Sequence, residues 1–246
     1  MRISRIYVQQ DLNDNALVEI PPEQVSYLSR VLRLKVGDAL TLFNGQGGEY
    51  PAELISIDKR HANVKLSSHN PREVESTLDI TLVQGISRGD RMDTTLQKAT
   101  ELGVTRIIPV FTERSTVSLK GGRLEKRLTH WQGIIQSACE QSGRNKLPAI
   151  ESAVTLEKYL QTNQPALGLL LAPEAKQNFS SLSPSLLALH LLIGPEGGLS
   201  QKECDLCYQR GFTGVSIGPR VLRTETAALA AISSIQTLWG DFNTTS

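Results

Sequence analysis

Two glycine-containing loops in the last quarter of the sequence have the residue types and spacing to bind a ligand. Residues 189–193 and 215–217 are short apolar runs. Each run breaks at once into a loop, Gly-Pro-Glu-Gly-Gly at residues 194–198 and Gly-Pro-Arg at residues 218–220. Glycine and proline end strand pairing, and a glycine lets a ligand approach the main chain without a Cβ in the way. Because ligands bind at the carboxyl ends of strands in open α/β sheets, we predict a binding site at these loops.

The composition of the first loop restricts the ligand. The loop lacks both the G-x-x-x-x-G-K-[ST] spacing of a phosphate loop and the G-x-G-x-x-G spacing of a dinucleotide loop. It carries an acid, Glu196, where a phosphate would favour a cation. The pattern therefore disfavours a nucleotide-dependent enzyme and favours a ligand with hydrogen-bond donors or positive charge. The alternative interpretation of Glu196 is an ordinary acidic side chain that faces solvent from a loop.

Cysteine chemistry is the other possibility that spacing suggests. Cys204 and Cys207 form a Cys-x-x-Cys pair, but the sequence has only three cysteines and four scattered histidines. It offers no second pair to complete a tetrahedral zinc site, so we predict no metal. The sequence also lacks a G-x-S-x-G motif and a plausible Ser/His/Asp set.

Length and charge bound the function further. The 246 residues are long for one domain and sufficient for two, and 26 basic against 25 acidic residues leave a formal net charge of +1. Any nucleic-acid contact must therefore come from a local patch. The apolar runs are far shorter than the roughly 20 residues that span a bilayer. We predict a soluble, cytoplasmic protein without a membrane partner.

The elements that would position the loops fall into two predicted domains. Residues 1–72 are β-rich, with a hairpin signal over residues 39–57, and fit a small barrel. From residue 78, strand-like and helical runs alternate, which indicates an α/β domain over residues 73–246 with a parallel sheet covered by helices on both faces. The predicted strands are residues 80–83, 107–111, 148–150, 167–171, 189–193 and 215–217.

Helix signals follow both glycine loops. Ser200 and Glu203 have capping-box spacing, so the first loop is predicted to lead directly into a helix. The final helix, predicted over residues 227–238, places small and branched side chains on one face, either for a dimer contact or for ordinary core packing: Ala228, Ala231, Ile232 and Ile235.

Five segments together resemble the ribosomal RNA small-subunit methyltransferase E family, a branch of the SPOUT, or α/β-knot, methyltransferases. They occur in the family's order: VLRLKVGD at 31–38, KATELGV at 98–104, ACEQSGR at 138–144, LIGPEGGLS at 192–200 and IGPRVLRTETA at 217–227. The resemblance implies a PUA-like RNA-binding β-barrel, a SPOUT-type parallel sheet with a C-terminal trefoil knot, and a homodimer. It also implies methylation of a uridine N3 in small-subunit ribosomal RNA, naked or in the assembled subunit, with S-adenosylmethionine.

Two other functions stay open. One is a SPOUT methyltransferase with another RNA target. The other is a non-catalytic RNA-binding protein whose glycine loops are structural turns. One departure from the family is Tyr27, where a histidine is frequent. A tyrosine can still stack on a base, but a role that needs an imidazole is put in doubt.

The resemblance assigns the cofactor to three loops, formed by Leu171, Ile193, Gly194, Pro195, Glu196, Gly197, Gly198, Ile217, Gly218, Val221 and Leu222. The hypothesis for catalysis is that Arg223 stabilises the developing uracil anion while Glu225 handles the proton or holds Arg223. The alternative is that both residues cap the last helix and pair with each other. Predicted phosphate contacts, each of which alone is typical of a solvated face, are Arg30, Arg33, Lys35, Arg88, Arg91, Lys98, Arg114 and Arg144.

Overall fold

A computed structural model describes residues 3–115, 122–182 and 187–243. The chain divides into two compact units. The first unit comprises residues Met1–Glu75 and Cys139–Leu147, and the second comprises Ser76–Ala138 and Pro148–Ser246. The residue pattern did not indicate that a segment from the middle of the chain packs with the β-rich unit.

The first unit is built on a five-stranded sheet. Its strands are β1 (Ser4–Tyr7), β2 (Leu17–Glu19), β3 (Ala39–Phe43), β4 (Tyr50–Ile57) and β5 (Ala62–Leu66), in the order β1-β3-β4-β5-β2. The predicted hairpin is confirmed as the antiparallel pair β3–β4, with Leu40 opposite Ala52. Helix α1 (Pro22–Ser26) continues into a π-helical turn, Tyr27–Val31.

The second unit contains a seven-stranded sheet. Its strands are β6 (Asp79–Gly85), β7 (Arg106–Phe111), β8 (Ala149–Ile150), β9 (Val154–Thr155), β10 (Gly168–Leu171), β11 (Ala188–Ile193) and β12 (Phe212–Val215). The order is β12-β10-β11-β6-β7-β8, with β9 also on β7, and every pairing is parallel. The predicted parallel sheet is therefore confirmed. The trefoil knot stays a prediction.

The helices of the second unit within the described ranges are α2 (Asp90–Glu101), α3 (Gly122–Ser142), α4 (Leu156–Thr162), α5 (Gln201–Gln209) and α6 (Thr224–Trp239). The last residues of α3 belong to the first unit. Two short 3₁₀ turns lie at Phe179–Ser181 and Asp241–Asn243. The capping box at α5 is confirmed, because Glu203 N donates to Ser200 Oγ and Ser200 N donates to the Glu203 carboxylate.

The predicted strand at residues 215–217 is wrong in its position. Strand β12 begins at Phe212 and ends at Val215, and the Ser216 amide then turns away to the carbonyl of Gln177. The apolar pattern missed the strand because two of its four residues are Thr213 and Gly214. Tertiary packing specifies it: a Cβ on Gly168 of β10 would come within 3.0 Å of the Phe212 ring.

Helix α6 begins at Thr224, three residues before its predicted start, and its small-residue face is core. The four side chains proposed for a dimer contact are all fully buried within the single chain: Ala228, Ala231, Ile232 and Ile235. This face packs on α2 and on other parts of the second unit. The dimer interpretation of this face is therefore wrong, because the apolar surface that it required is already covered.

Candidate active site

A cavity of about 550 Å³ lies in the second unit where three parallel strands end. Strands β10, β11 and β12 are hydrogen-bonded neighbours, so their carboxyl ends meet at one edge of the sheet. Every residue that the sequence assigned to the cofactor lines this cavity: Leu171, Ile193, Gly194, Pro195, Glu196, Gly197, Gly198, Ile217, Gly218, Val221 and Leu222. The three predicted loops thus come together.

The first glycine loop is held in a tight turn against strand β6. The Gly198 amide donates to the Pro195 carbonyl at 2.9 Å, and Gly198 has φ 68°, a left-handed conformation that favours glycine. At the end of β6, a Cβ on Gly85 would lie 2.5 Å from Pro195 Cδ. Gly85 therefore has to be a glycine for the loop to approach this closely.

Glu196 is fixed by the start of helix α2. Its Oε1 accepts from the Arg88 backbone amide at 2.9 Å and lies 3.2 Å from Arg91 Nη1. Burial by itself would raise the pKa of Glu196, but the Arg88 hydrogen bond and the Arg91 guanidinium outweigh it and hold the pKa below its usual value. Glu196 is therefore a charged residue that holds the glycine loop to the start of α2. This differs from the solvated loop acid that was the alternative interpretation.

The loop that follows β7 supports the glycine loop from another side. Arg114 Nη1 donates to the Gly197 carbonyl at 3.0 Å. Glu203, which is only 2% exposed, accepts from the Glu113 amide at 2.8 Å as well as from Ser200. The capping residue of α5 thus also anchors the segment that carries Arg114, a role that its local spacing could not reveal.

Arg223 and Glu225 both lie at the start of α6, but Glu225 is not among the residues that line the cavity. Arg223 lines the cavity, is exposed, and occupies the N-cap position without making a side-chain capping bond. Glu225 lies in the first turn, half-buried, and its Oε2 is buried with no hydrogen-bond partner among the described residues. Within that part of the chain the two side chains form no ion pair, so the structure does not support their predicted pairing.

Sequence reasoning missed two polar side chains beside the site, Gln84 and Thr224. Gln84 is fully buried near the end of β6, and Thr224 is 6% exposed at the first residue of α6. The available signal for Gln84 was a glutamine within the otherwise apolar end of a strand. For Thr224 the only signal was its place between Arg223 and Glu225.

The predicted phosphate contacts belong to both units and have different environments. Arg30, Arg33 and Lys35 are exposed in the first unit, and no ion pair involves them among the described residues. Arg88 is also exposed, in the second unit. Lys98 Nζ lies 2.8 Å from Glu101, while Arg91 and Arg114 hold the glycine loop.

Arg144 does not fit the predicted RNA contact. It is 4% exposed, and its guanidinium lies 2.5 Å from the Glu75 carboxylate within the first unit. A phosphate could reach it only after this buried pair had opened. Arg144 is therefore a structural residue. Its sequence motif could not show whether the side chain is buried or exposed.

Tyr27 begins the π-helical turn that contains Arg30 and is followed by Arg33 and Lys35. Its side chain is 42% exposed, and nearby Val31 is 64% exposed. π-Helical turns are rare and frequently occur at functional sites. The tyrosine is thus accessible to a partner, as base stacking would require.

The cysteine pair has the properties of packed side chains. Cys204 and Cys207 are free and buried, and burial raises the pKa of the Cys207 thiol to about 12. Across residues 3–115, 122–182 and 187–243, no group of three or more His, Cys, Asp or Glu side chains could hold a metal ion. Over the same ranges, the structure contains no helix with the length and apolar character needed to cross a membrane.

Two family models match the chain. Residues 20–67 match the RNA methyltransferase PUA domain and residues 74–236 match the RNA methyltransferase domain. These matches confirm the predicted PUA-like and SPOUT-type methyltransferase parts of the fold.

Relatives and solved structures match along nearly the whole chain. The ribosomal RNA small subunit methyltransferase E of Rickettsia conorii is 35% identical over 97% of both chains. That of Buchnera aphidicola from Schizaphis graminum is 33% identical over 98% of this chain and 99% of the relative.

Among solved structures, the enzyme of the same name from Neisseria gonorrhoeae, bound to S-adenosylmethionine, is 40% identical with a TM-score of 0.92. A chain from Legionella pneumophila, also with the bound cofactor, is 38% identical with a TM-score of 0.95; each covers 98% of this chain and 100% of its own. The protein therefore belongs to the ribosomal RNA small subunit methyltransferase E family.

Proposed function

We propose that the protein transfers a methyl group from S-adenosylmethionine to N3 of a uridine in small-subunit ribosomal RNA. The observation that carries this proposal is the cavity at the sheet edge, which gathers three predicted cofactor loops and has Arg223 in its wall. Two relatives that match nearly the whole chain were solved with this cofactor, which supports the same ligand here.

The residues present fit S-adenosylmethionine. The cavity volume lies within the roughly 300–1,000 Å³ typical of small-molecule sites. Leu171, Ile193, Ile217 and Leu222 supply apolar walls suited to an adenine ring, and the glycine loops expose backbone polar groups. At Gly218, which has φ 62°, an added Cβ would point into open space, so the main chain is accessible there. We propose that these three loops hold the cofactor.

Two side chains at the start of α6 would then prepare the base. Bound S-adenosylmethionine supplies an electrophilic methyl group on a sulfonium. The uridine must present N3 without its proton, because N3 is mostly protonated near neutral pH. We propose that Glu225, whose Oε2 has no hydrogen-bond partner among the described residues, accepts this proton, and that the exposed guanidinium of Arg223 stabilises the negative charge that develops on the uracil ring.

Single substitutions test these roles. Arg223→Ala and Glu225→Gln should each lower kcat by about 100-fold, the low end of what general acid–base groups contribute, while cofactor affinity stays within about threefold. Arg220→Ala is the matched control, since Arg220 is another exposed arginine of the cavity wall without a proposed chemical role. Normal turnover by Arg223→Ala with intact cofactor binding would remove Arg223 from the mechanism.

The target needs its own experiment. Comparing small-subunit ribosomal RNA from cells with and without the protein, by mass spectrometry and primer extension, should show one uridine that loses an N3 methyl group. Purified protein should restore it on naked RNA or on assembled subunits, and the preferred form identifies the substrate. An unchanged uridine pattern together with normal RNA binding would favour the non-catalytic alternative.

The remaining features of the proposal concern organisation. We propose that residues 1–72 form the RNA-binding domain and that residues 73–246 form the knotted methyltransferase domain of a cytoplasmic homodimer. Light scattering of the purified protein measures the oligomeric state, and a monomer at micromolar concentration would contradict the dimer.

A further inference from the structure

A buried polar relay connects strand β6 to both the glycine loop and helix α6. Gln84 Nε2 donates to the Thr224 hydroxyl at 3.1 Å, and the Thr224 hydroxyl donates to the Gly194 carbonyl at 2.7 Å. Gln84 Nε2 also donates to the Gly85 carbonyl at 3.0 Å. A threonine hydroxyl has one proton to donate and lone pairs that accept. Thr224 Oγ1 therefore donates to the Gly194 carbonyl and accepts from Gln84 Nε2 at the same time.

The relay joins the two halves of the proposed reaction centre. Gly194 begins the loop assigned to the cofactor, whereas Thr224 lies between Arg223 and Glu225, the two residues assigned to the base. Both relay side chains are buried, with 0% exposure for Gln84 and 6% for Thr224. Breaking a buried hydrogen bond leaves a desolvated polar group without a partner, which costs free energy. The relay therefore resists displacement of α6 from the glycine loop.

The glycine loop does not depend on the relay alone. It is also held by Glu196 on Arg88 and Arg91, by Arg114 on the Gly197 carbonyl, and by Pro195 packed on Gly85. Within the described residues, the first turn of α6 makes no side-chain hydrogen bond to this loop besides that of Thr224. Loss of the relay should therefore release the start of α6 more than the loop.

We propose that Gln84 and Thr224 are positioning residues that set the first turn of α6, and hence Arg223 and Glu225, relative to the cofactor loop. This inference rests on the proposed methyl transfer. The physical reason is that a displacement of about 1 Å between reacting groups can lower a rate by about 100-fold without weakening the binding of either reactant.

The decisive comparison is Thr224→Val against Thr224→Ser. Valine keeps the shape of threonine and removes the hydroxyl, while serine keeps the hydroxyl. We expect Thr224→Val to lower kcat on small-subunit ribosomal RNA by about 10- to 100-fold. The Kd for S-adenosylmethionine, measured by calorimetry, should change by less than threefold, and Thr224→Ser should stay within about threefold of wild-type kcat.

Gln84→Met supplies a second variant that keeps volume and removes the amide, in case Thr224→Val does not fold. It should show the same split between kcat and Kd. In the double variant Gln84→Met/Thr224→Val, kcat should fall little further than in the worse single variant, because both changes break one relay. Fully multiplicative losses would overturn the proposal.

Two further results would overturn it. One is equal loss of kcat in Thr224→Val and Thr224→Ser. The other is a parallel loss of cofactor affinity and kcat in Thr224→Val. That result would mean that the relay stabilises the cofactor loop and does not position α6. A wild-type protein that neither binds S-adenosylmethionine nor methylates the RNA would contradict the proposed function itself, whatever the variants do.

Discussion

The guanidinium of Arg91 lies 3.2 Å from the carboxylate of Glu196. The sequence assigned these residues to different ligands, Arg91 to RNA phosphates and Glu196 to the cofactor. In the folded chain they hold each other, and the Arg88 amide completes the support. The acidic position of the glycine loop is thus explained by its neighbour on α2, and the loop presents mainly backbone groups to the cavity.

Removing this support should weaken cofactor binding. We expect Arg91→Met to raise the Kd for S-adenosylmethionine about three- to tenfold, a modest effect because the Arg91 side chain is 44% exposed and solvent screens the pair. Arg88→Met is the matched control. Arg88 supports Glu196 through its backbone amide, so losing its side chain should leave the calorimetric Kd unchanged. Equal effects of both variants would show that general charge, and not the Glu196 contact, matters.

The same contact predicts a pH dependence of stability. The folded-state pKa of Glu196 is held below the usual value of 4.5, so its stabilisation is present above that pH and is lost as pH falls through the lower folded-state pKa. Wild type should have a higher Tm than Glu196→Gln at pH 7, and the difference should vanish as pH falls well below 4.5. Thermal unfolding from pH 7 to pH 3 measures this. A difference that persisted at the acidic end would exclude ionisation as its source.

The exposed basic residues of the first unit should govern the salt dependence of RNA binding. Removing one side chain that binds a phosphate should reduce the slope of log K against log salt by roughly 0.7 to 0.9. We expect this for Arg30→Gln, Lys35→Gln and Arg33→Asn. Asparagine suits the last position because Arg33 has φ 55°. Filter binding or fluorescence anisotropy at several salt concentrations measures the slope.

The control for this experiment is Lys59→Gln/Arg60→Gln, which removes two exposed charges in the turn between β4 and β5. An equal change in slope in this variant would argue against a defined RNA-binding surface.

The buried pair in the first unit should matter for stability and not for RNA contact. Glu75→Gln removes the carboxylate that pairs with the 4% exposed Arg144, and breaking such a pair costs on the order of 3 kcal/mol. The urea midpoint should fall accordingly. Glu151→Gln is the control, because the Arg106–Glu151 pair is about half exposed and should contribute under about 1 kcal/mol. An unchanged midpoint in Glu75→Gln would mean that the pair contributes nothing.

The sequence by itself determined the features that depend on local rules. Glycine and proline mark the ends of strands, the spacing of Ser200 and Glu203 specifies the capping box, and alternating strands and helices specify a parallel sheet. Because parallel strands end at one edge, the three loops could be grouped from the order of the elements. The motifs likewise identified the family.

Only the tertiary structure decided which side chains meet. Arg114 reaches Gly197 across 83 positions of sequence, and Arg144 reaches Glu75 across 69. The strand at Phe212–Val215 and the relay from Gln84 through Thr224 were also hidden, since their partners come from distant strands. The reason is physical: a charge or a hydrogen-bonding group carries no local record of its partner. Whether an arginine supports a loop, fills a core or faces RNA is therefore set by the packing of the whole unit.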